Sequence, residues 1–280
     1  MSDVTARITE LYLYPIKSCA GIRVNEALLT PTGLQYDRHF MLIDENGVMQ
    51  SQRDHARMAL IVPSIDGDRI HIDAPEMPRL SIGLNADGAA RAVQIWDDVV
   101  SGLDMGDDAA AWFSEALGQR VRLVRFNAAV ARPCSNKWTG DDHASTEFAD
   151  GYPLLLIGTA SMAELNRRLT ESNQTTVDVR RFRPNIVMDG IEAHDEDLLE
   201  WLNVDQQIQL KNVKPCTRCP IPDIDPDTAL SQPSVTDALL HYRRNARMDD
   251  ALTFGMNAII RQGSGQSIRV GMTIAADYVF

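Results

Sequence analysis

Two cysteines in the last third of the chain are the residues whose type and spacing most clearly allow chemistry. Cys216 and Cys219 are three residues apart, with Lys214 and Arg218 beside them. A thiolate is a good ligand for soft or high-valent metals, and neighbouring cations favour the thiolate over the thiol. Spacing alone leaves four interpretations open: a redox pair, half of a zinc site, a soft-metal ligand, or two small buried side chains.

The remainder of the sequence narrows this choice. A complete tetrahedral zinc site would need a second close pair of Cys or His, and the other cysteines, Cys19 and Cys134, lie far apart. The six histidines have no metal-ligand spacing either. No Gly-x-Gly-x-x-Gly or Walker loop is present, which argues against dinucleotide or ATP chemistry. These observations make structural zinc a minor interpretation and leave the others open.

Composition sets further limits. The chain has 280 residues, 44% hydrophobic residues and a net charge of −12, values typical of a globular protein able to bury a substantial core. The negative charge argues against nucleic-acid binding. No apolar run is long enough to cross a bilayer, and the start lacks a signal-peptide pattern. We therefore expect a cytoplasmic protein with reduced cysteines and no membrane partner.

The first part of the chain is β-rich. Asn46-Gly47 follows the apolar residues 40–43 and predicts a hairpin. Further short strands are predicted at residues 59–62, 69–73, 80–84 and 92–95, a spacing typical of a barrel or folded sheet. Apolar residues at helical spacing then predict a helix over residues 107–117, ended by Gly118.

The second part alternates strands and helices. Residues 131–150 are polar and predict a long surface loop. A buried strand at 153–157 is followed by a helix that Thr159 or Ser161 would cap, with Glu164 completing a capping box with Ser161. Residues 208–213 predict the strand that delivers the cysteines, which would then lie in a loop.

Several motifs, in order along the chain, resemble the MOSC family, the C-terminal domains of molybdenum-cofactor sulfurases. The resemblance is greatest to bacterial reductases of N-hydroxylated compounds and to eukaryotic amidoxime-reducing components. It covers nearly the whole chain, and although each motif alone is weak, their shared order is specific. The matching segments are residues 14–21 (YPIKSCAG), 37–40 (DRHF), 153–166, 182–187 (FRPNIV), 216–219 (CTRC) and 225–228 (DPDT).

The resemblance implies a molybdenum–molybdopterin cofactor whose metal takes one protein cysteine as a ligand. In the family pattern this is the second cysteine, so Cys219 is expected to be the metal ligand and catalytic residue, with Cys216 shaping the loop. Lysine, arginine and asparagine suit the phosphate and the amide-rich ring of such a group, although each residue alone is equally compatible with a structural role. The expected cofactor-binding residues are Lys17, Ser18, Arg38, Arg183, Asn185, Thr217 and Arg218.

The implied activity is two-electron reduction of the N–O bond of a small N-hydroxylated substrate. Since the sequence shows no iron–sulfur cysteine cluster, electrons are expected from a separate ferredoxin-type or flavoprotein donor. Two alternatives use the same residues: a sulfur carrier with a persulfide on Cys219, and a non-catalytic protein that binds the cofactor. Glu192 and Asp150 are weaker site candidates, and a solvated carboxylate is the preferred interpretation of each.

Two local features depart from the family pattern. Pro220, Ile221 and Pro222 stand where a more apolar, Thr-rich stretch is usual, and Ala229 stands where glycine often follows the DPDT segment. The expected fold is α+β and β-rich. It comprises an N-terminal β domain over residues 1–120 and a MOSC β-barrel core with flanking helices over residues 121–280, with the cofactor at their junction.

Overall fold

The computed structural model describes residues 2–279, in which the chain forms nineteen strands and four α-helices. The strands are β1 (Val4–Leu13), β2 (Ile22–Val24), β3 (Glu26–Thr30), β4 (Gly33–Leu34), β5 (Phe40–Ile43), β6 (Val62–Asp66), β7 (Arg69–Asp73), β8 (Leu80–Gly83), β9 (Ala90–Ile95), β10 (Asp98–Asp104), β11 (Arg122–Phe126), β12 (Leu154–Gly158), β13 (Ile186–Asp189), β14 (Leu199–Val204), β15 (Ile208–Thr217), β16 (Arg244–Asn245), β17 (Ala251–Gln262), β18 (Ser267–Arg269) and β19 (Thr273–Tyr278). The helices are α1 (Asp107–Leu117), α2 (Asn136–Thr139), α3 (Thr159–Glu171) and α4 (Ser234–Leu240). Short 3₁₀ helices cover Ala56–Leu60, Val179–Phe182, Asp195–Leu198, Ile221–Asp223 and Ala246–Met248.

Seven strands close into a barrel in the order β12-β13-β1-β19-β14-β15-β17 and back to β12. The pairing of β12 with β13 is parallel, and the other pairings around the barrel are antiparallel. Alternate side chains fill the interior, as expected for a barrel of this size; they include the fully buried Ile8, Leu156, Leu210 and Ile274. The N-terminal strand β1 thus completes a barrel built mainly from the second half of the chain.

Gly255 allows β17 to reach β12 where the barrel closes. Its φ is +75°, a region that side chains disfavour, and an added Cβ would lie 2.6 Å from the carbonyl oxygen of Leu156. The neighbouring Met256 pairs with Leu156 across this seam. Glycine is therefore required by both backbone conformation and space.

The N-terminal region contributes a four-stranded half-barrel in the order β5-β11-β10-β9 and a three-stranded sheet, β6-β7-β8. Helix α1 buries Trp112 and Phe113 against its own core cluster and ends at Gly118, whose φ is +69°, as its apolar spacing and the glycine predicted. The β-rich α+β fold with a barrel core is confirmed. None of the helices within residues 2–279 has the length and apolar character needed to cross a membrane.

Two local predictions are wrong. Residues 56–60 form a 3₁₀ helix rather than a strand beginning at residue 59, because a short apolar run is buried in either conformation and periodicity cannot separate the two. Helix α3 begins after Gly158 with no side-chain cap. Ser161 instead donates to the buried Glu196 carboxylate, Oγ to Oε2 2.7 Å, while Glu164 pairs with Arg167 and Arg168 on the same helix.

Two further segments, residues 131–150 and strand β15, also differ from expectation. Residues 131–150 are anchored rather than a free surface loop, since Arg132 and Phe148 are buried and α2 forms within the segment. Strand β15 continues to Thr217, so Cys216 lies in the strand and only Cys219 lies in the following turn. The polar residues around the cysteines indicated a loop. They are compatible with a strand because Lys214 and Cys216 of β15 line a cavity rather than the apolar core.

Candidate functional site

A cavity of about 430 Å³ opens between the barrel and the N-terminal region. All of the residues predicted for the site line it: Lys17, Ser18, Arg38, Arg183, Asn185, Thr217, Arg218 and Cys219. They come from four separate parts of the chain: the turn after β1, the turn before β5, the approach to β13, and the end of β15. The fold therefore brings together residues that are up to two hundred positions apart, at a junction typical of ligand sites.

The two cysteines occupy unequal positions. Cys216 is held within β15, whereas Cys219 lies in the turn that leads into the 3₁₀ helix Ile221–Asp223. Both are free, half-buried thiols at the cavity. Burial raises the pKa of the Cys216 thiol, and the nearby Arg218 only partly opposes this effect. The structure thus distinguishes a strand cysteine from a turn cysteine in the same wall.

The departures from the family pattern lie in two places. Residues 220–222 adjoin or line the cavity, whereas Ala229 lies in a later turn outside the cavity lining. Pro220 precedes the 3₁₀ helix, and both Ile221 and Pro222 line the cavity. Ala229 takes a φ of +58°, the conformation that glycine adopts most easily. Its backbone amide still donates to the carbonyl oxygen of Asp225 at 2.8 Å, so the turn is closed without glycine.

Arg218 fixes the turn to the strand behind it. Its Nε and Nη2 donate to the carbonyl oxygen of Phe254 at 2.9 and 2.6 Å, and its Nη1 donates to the carbonyl oxygen of Phe182 at 3.0 Å. The rings of Phe182 and Phe254 stack with centroids 4.3 Å apart. Because its hydrogen-bond partners are neutral carbonyls, the guanidinium contributes its full positive charge to the cavity.

A buried tyrosine separates two further arginines. The guanidinium carbons of Arg38 and Arg183 lie 4.4 and 4.3 Å from the ring centroid of Tyr14, a cation–π arrangement. Burial raises the pKa of Tyr14 and lowers that of Arg183 to about 10, so at neutral pH the phenol is neutral and Arg183 charged. Arg183 donates through Nη1 to the carbonyl oxygen of Cys19 at 2.6 Å, and its buried Nη2 has no hydrogen-bond partner within residues 2–279.

Asn185 is buried, and its amide is already hydrogen-bonded within the protein. Its Oδ1 accepts from Arg38 Nη1 at 3.0 Å and from the backbone amide of Leu155 at 3.2 Å. Its Nδ2 donates to the carbonyl oxygen of Tyr12 at 3.2 Å. Arg38 also donates to Asp37 Oδ2 at 2.5 Å. Asn185 therefore orients Arg38 and joins β1 to β12.

Lys17 is buried at the opposite wall. Its Nζ donates to the carbonyl oxygen of Phe148 at 2.9 Å and to Asp150 Oδ1 at 2.5 Å. Desolvation lowers the pKa of Lys17, and the carboxylate opposes this effect. For Asp150, desolvation acts to raise the pKa, but the Lys17 ammonium outweighs it and holds the pKa below its usual range. Asp150 is therefore a carboxylate at neutral pH.

Sequence reasoning underrated one residue of this wall, Asp150, and missed two others, Trp96 and Arg53. Asp150, interpreted as an ordinary loop aspartate, lines the cavity and also accepts from Trp96 Nε1 at 3.1 Å. Trp96 is exposed at the rim, and Arg53 lies 4.1 Å from the centroid of its ring. The position of Asp150 just before a buried strand was a usable signal, but Trp96 and Arg53 carry no motif. Glu192 is exposed and lies outside the cavity lining.

The charge of the cavity is opposite to that of the chain. Its lining includes seven Lys or Arg residues and one carboxylate, Asp150, in a chain whose net charge is −12. Within residues 2–279, no group of three or more His, Cys, Asp and Glu side chains is placed to hold a metal ion. The arrangement combines a turn thiol with a concentration of cations, which suits a ligand carrying both a thiophilic centre and an anionic group.

A polar cluster lies behind Phe254, outside this cavity. The His194 ring packs edge-on against Phe254 and also against Tyr242, with centroids 5.6 and 5.4 Å apart. Neither His194 ring nitrogen has a partner among the described residues, and burial lowers the pKa of His194 to about 4. His194 is therefore neutral at physiological pH and supports the aromatic stack that holds Arg218.

Comparison with known proteins identifies relatives that match most of the chain. Residues 5–120 match the MOSC N-terminal beta barrel domain, and residues 143–275 match the MOSC domain. The chain is 32% identical over 234 residues to mitochondrial amidoxime reducing component 2 of Rattus norvegicus, covering 80% of this chain and 68% of the relative. It is 34% identical over 238 residues to mitochondrial amidoxime-reducing component 1 of Mus musculus, covering 80% and 67%.

Among solved structures, the YUAD protein from Bacillus subtilis aligns over 100% of both chains, with 11% identity and a TM-score of 0.47. The matches to the two family models lie in both halves of the chain. On these matches, the chain belongs to the MOSC family and combines the N-terminal beta barrel domain with the MOSC domain.

Proposed function

We propose that this protein is a reductase of N-hydroxylated compounds that depends on a molybdenum–molybdopterin cofactor, with Cys219 as the metal ligand. The observation that carries the proposal is the presence of a half-buried turn thiol and a large excess of positive charge in one cavity of about 430 Å³. The similarity to amidoxime reducing components supports the substrate class.

The residues present fit such a group. Arg183 lines this cavity and its Nη1 donates to the neutral carbonyl oxygen of Cys19, so its positive charge acts on an anionic ligand bound there. Arg218 adds positive charge that no carboxylate neutralises among its hydrogen bonds. The cavity volume lies in the range of about 300–1,000 Å³ that small-molecule sites occupy. A thiol for the metal and cationic donors for the phosphate are thus both present.

Each residue has a distinct part in this proposal. Cys219 holds the metal from the turn after β15, and Arg218 keeps that turn in place through the Phe182 and Phe254 carbonyls. Lys17, Ser18, Arg38 and Arg183 would bind the anionic and polar groups of the cofactor. Thr217, exposed at the end of β15, offers a hydroxyl at the cavity surface, and Asn185 acts by orienting Arg38.

The bound cofactor supplies the two-electron chemistry that reduces an N–O bond. The protein positions the group and sets the charge around it. Asp150, ionised by its pairing with Lys17, is a hydrogen-bond acceptor at the cavity wall. Electrons would come from a separate ferredoxin-type or flavoprotein donor.

The proposal is tested by measuring molybdenum and pterin in protein purified from a molybdenum-replete host. We expect Cys219→Ala to lose molybdenum and Cys216→Ala, the matched control three residues away, to retain it. The wild-type protein should reduce hydroxylamine or benzamidoxime when it is supplied with a chemical or protein electron donor, and Cys219→Ala should not.

Two outcomes would contradict the proposal and support other functions. Protein without cofactor, carrying a cyanide-labile persulfide on Cys219, would indicate a sulfur carrier. Cofactor-loaded protein that turns over no N-hydroxylated substrate with any donor would indicate a protein that stores or transfers the cofactor.

A further inference from the structure

A second cavity, of about 450 Å³, lies on the other side of Arg183. It is formed by the turn after β1, the 3₁₀ helix before β6, the turn after β7 and the segment around residues 221–227. Three residues, Arg181, Arg183 and Ile221, line both cavities. The two cavities are therefore neighbours that share one wall, and nothing in the proposed function uses the second.

Two buried polar groups of this cavity have no partner. Tyr14 is 1% exposed, and its hydroxyl makes no hydrogen bond within the described residues. The same holds for Nη2 of Arg183, whose guanidinium carbon lies 4.3 Å from the Tyr14 ring centroid. Buried polar groups are almost always paired in native proteins, so two such groups beside one another need an explanation.

Arg183 is also the cation of this cavity that lacks a carboxylate among its hydrogen-bond partners. Arg180 binds Asp227 in a bidentate pair at 2.9 and 2.8 Å, and Arg181 binds Asp225 at 2.9 Å. The one remaining acid of the lining, Asp73, is paired with Arg79. A net positive charge thus remains at Arg183, next to the unpaired hydroxyl.

The remaining walls are mostly apolar. They include Leu60, Ala74, Pro75 and Ile224. At the inner end, Gly21 packs against the Tyr14 ring so closely that an added Cβ would lie 2.5 Å from Cε1. The cavity thus has an apolar body and a single cationic, hydrogen-bond-donating end.

We propose that this cavity binds a small organic carboxylate with an apolar body, such as an aromatic acid. One carboxylate oxygen accepts from the Tyr14 hydroxyl and the other accepts from Arg183 Nη2, while the apolar body lies against Leu60, Ala74 and Ile224. Such a ligand satisfies both unpaired donors and the unneutralised charge at once. Because Arg183 also lines the first cavity, the ligand would contact the wall of the cofactor site without entering it.

The test is isothermal titration calorimetry of the 280-residue chain with benzoate and with benzamide, its neutral analogue. We expect benzoate to bind at one site and at least tenfold more tightly than benzamide. Tyr14→Phe, which keeps the ring and removes one donor, should weaken benzoate binding about tenfold. Ala74→Leu, which narrows the cavity, should weaken it further, whereas Ala86→Leu, at a half-buried loop alanine outside both cavities, should not.

Binding in the first cavity must be distinguished from binding in the second. Lys214 lines the first cavity alone, so Lys214→Met should leave benzoate affinity unchanged. Equal affinities for benzoate and benzamide, no effect of Ala74→Leu, or loss of binding in Lys214→Met would each overturn the proposal. So would the absence of benzoate binding, which would indicate that water alone fills the cavity. Thermal unfolding of each variant verifies that it is folded. If Tyr14→Phe does not fold, Ala74→Leu still tests the proposal.

Discussion

The ammonium nitrogen of Lys17 lies 2.5 Å from Oδ1 of Asp150, and the two side chains differ sharply in exposure, 7% for the lysine and 75% for the aspartate. The pair joins the turn after β1 to the end of the segment 131–150. The buried cation is thus compensated by a carboxylate that remains open to the cavity, and this carboxylate is the single acid in a lining otherwise rich in Lys and Arg.

Replacing Asp150 with asparagine should destabilise the cofactor-free protein by about 1 kcal/mol at pH 7. The buried Lys17 loses its counter-charge, although solvent exposure of the carboxylate limits the effect. Since the pKa of Asp150 is lowered in the folded state, its contribution is complete above about pH 5 and is lost as the pH falls through about 4 and lower. Urea unfolding between pH 7 and pH 3.5 measures this difference.

Asp141→Asn is the matched control, because Asp141 is exposed and forms no ion pair in the described part of the chain. Two results would show that the Lys17–Asp150 pair contributes nothing to stability. One is a loss of unfolding free energy in Asp150→Asn that is no larger than in Asp141→Asn, and the other is a loss that grows as the pH falls.

Arg218→Lys should destabilise the protein by about 2 kcal/mol, since an ammonium cannot reproduce the three hydrogen bonds that the planar guanidinium makes to two carbonyl groups. Urea unfolding with an unchanged m-value is the measurement. Arg244→Lys is the control, because Arg244 is exposed and its bond to the Asp250 carbonyl oxygen is long, at 3.5 Å. Equal stabilities of the two variants would contradict the proposed anchoring role.

Gly255→Ala should cost about 3 kcal/mol, and Gly265→Ala about 1 kcal/mol. Both glycines have positive φ, +75° and +85°, so both variants carry the penalty of a left-handed backbone. Only at Gly255 would the new Cβ also meet the barrel wall, 2.6 Å from the Leu156 carbonyl oxygen, since nothing lies within 4 Å of the corresponding position at Gly265. The denaturation midpoints of Gly255→Ala and Gly265→Ala are compared, and their difference measures the cost of the steric contact with Leu156. Similar midpoints would show that this contact costs nothing.

His194 should make stability fall as the pH decreases from about 6.5 towards 4. Burial lowers its pKa from 6.5 to about 4, so the unfolded chain takes up a proton at a higher pH than the folded protein. The contribution is complete above about pH 6.5 and its loss amounts to about 3 kcal/mol at most.

His194→Asn should flatten this pH dependence, and asparagine tolerates the φ of +70° at this position. Unfolding free energies at pH 7, 6, 5 and 4.5 provide the measurement, with the exposed His143→Asn as the control for removing an imidazole. A variant as steep as the wild type would show that another group is responsible.

Local signals predicted much of the fold. Helix α1 was predicted with its ends because apolar spacing and Gly118 act within a few residues, and the cysteine segment was found from residue types alone. The strand prediction at 59–62 was wrong because the apolar pattern reflects burial, and a buried strand and a buried 3₁₀ helix both produce it. The capping box failed because Ser161 bonds to Glu196, thirty-five residues away.

The candidate site likewise contains residues that the sequence predicts and residues that it does not. The family motifs predicted the residues that the structure brings together at the cavity, including Arg183 and Cys219. Trp96 and Arg53 could not be found, since their place at the rim depends on how the half-barrel lies against the barrel and follows from no local pattern. The roles assigned to these residues stay predictions that the metal and pterin measurements test.

The position of β1 in the barrel also determines when the protein can finish folding. Val4 pairs with Ala276, and Arg7 pairs with Thr273, so β1 leaves the ribosome long before its partner β19 is made. Contacts of such sequence separation form slowly. Until then the backbone edge of β1 that pairs with β19 is exposed, which makes the incomplete chain prone to aggregate.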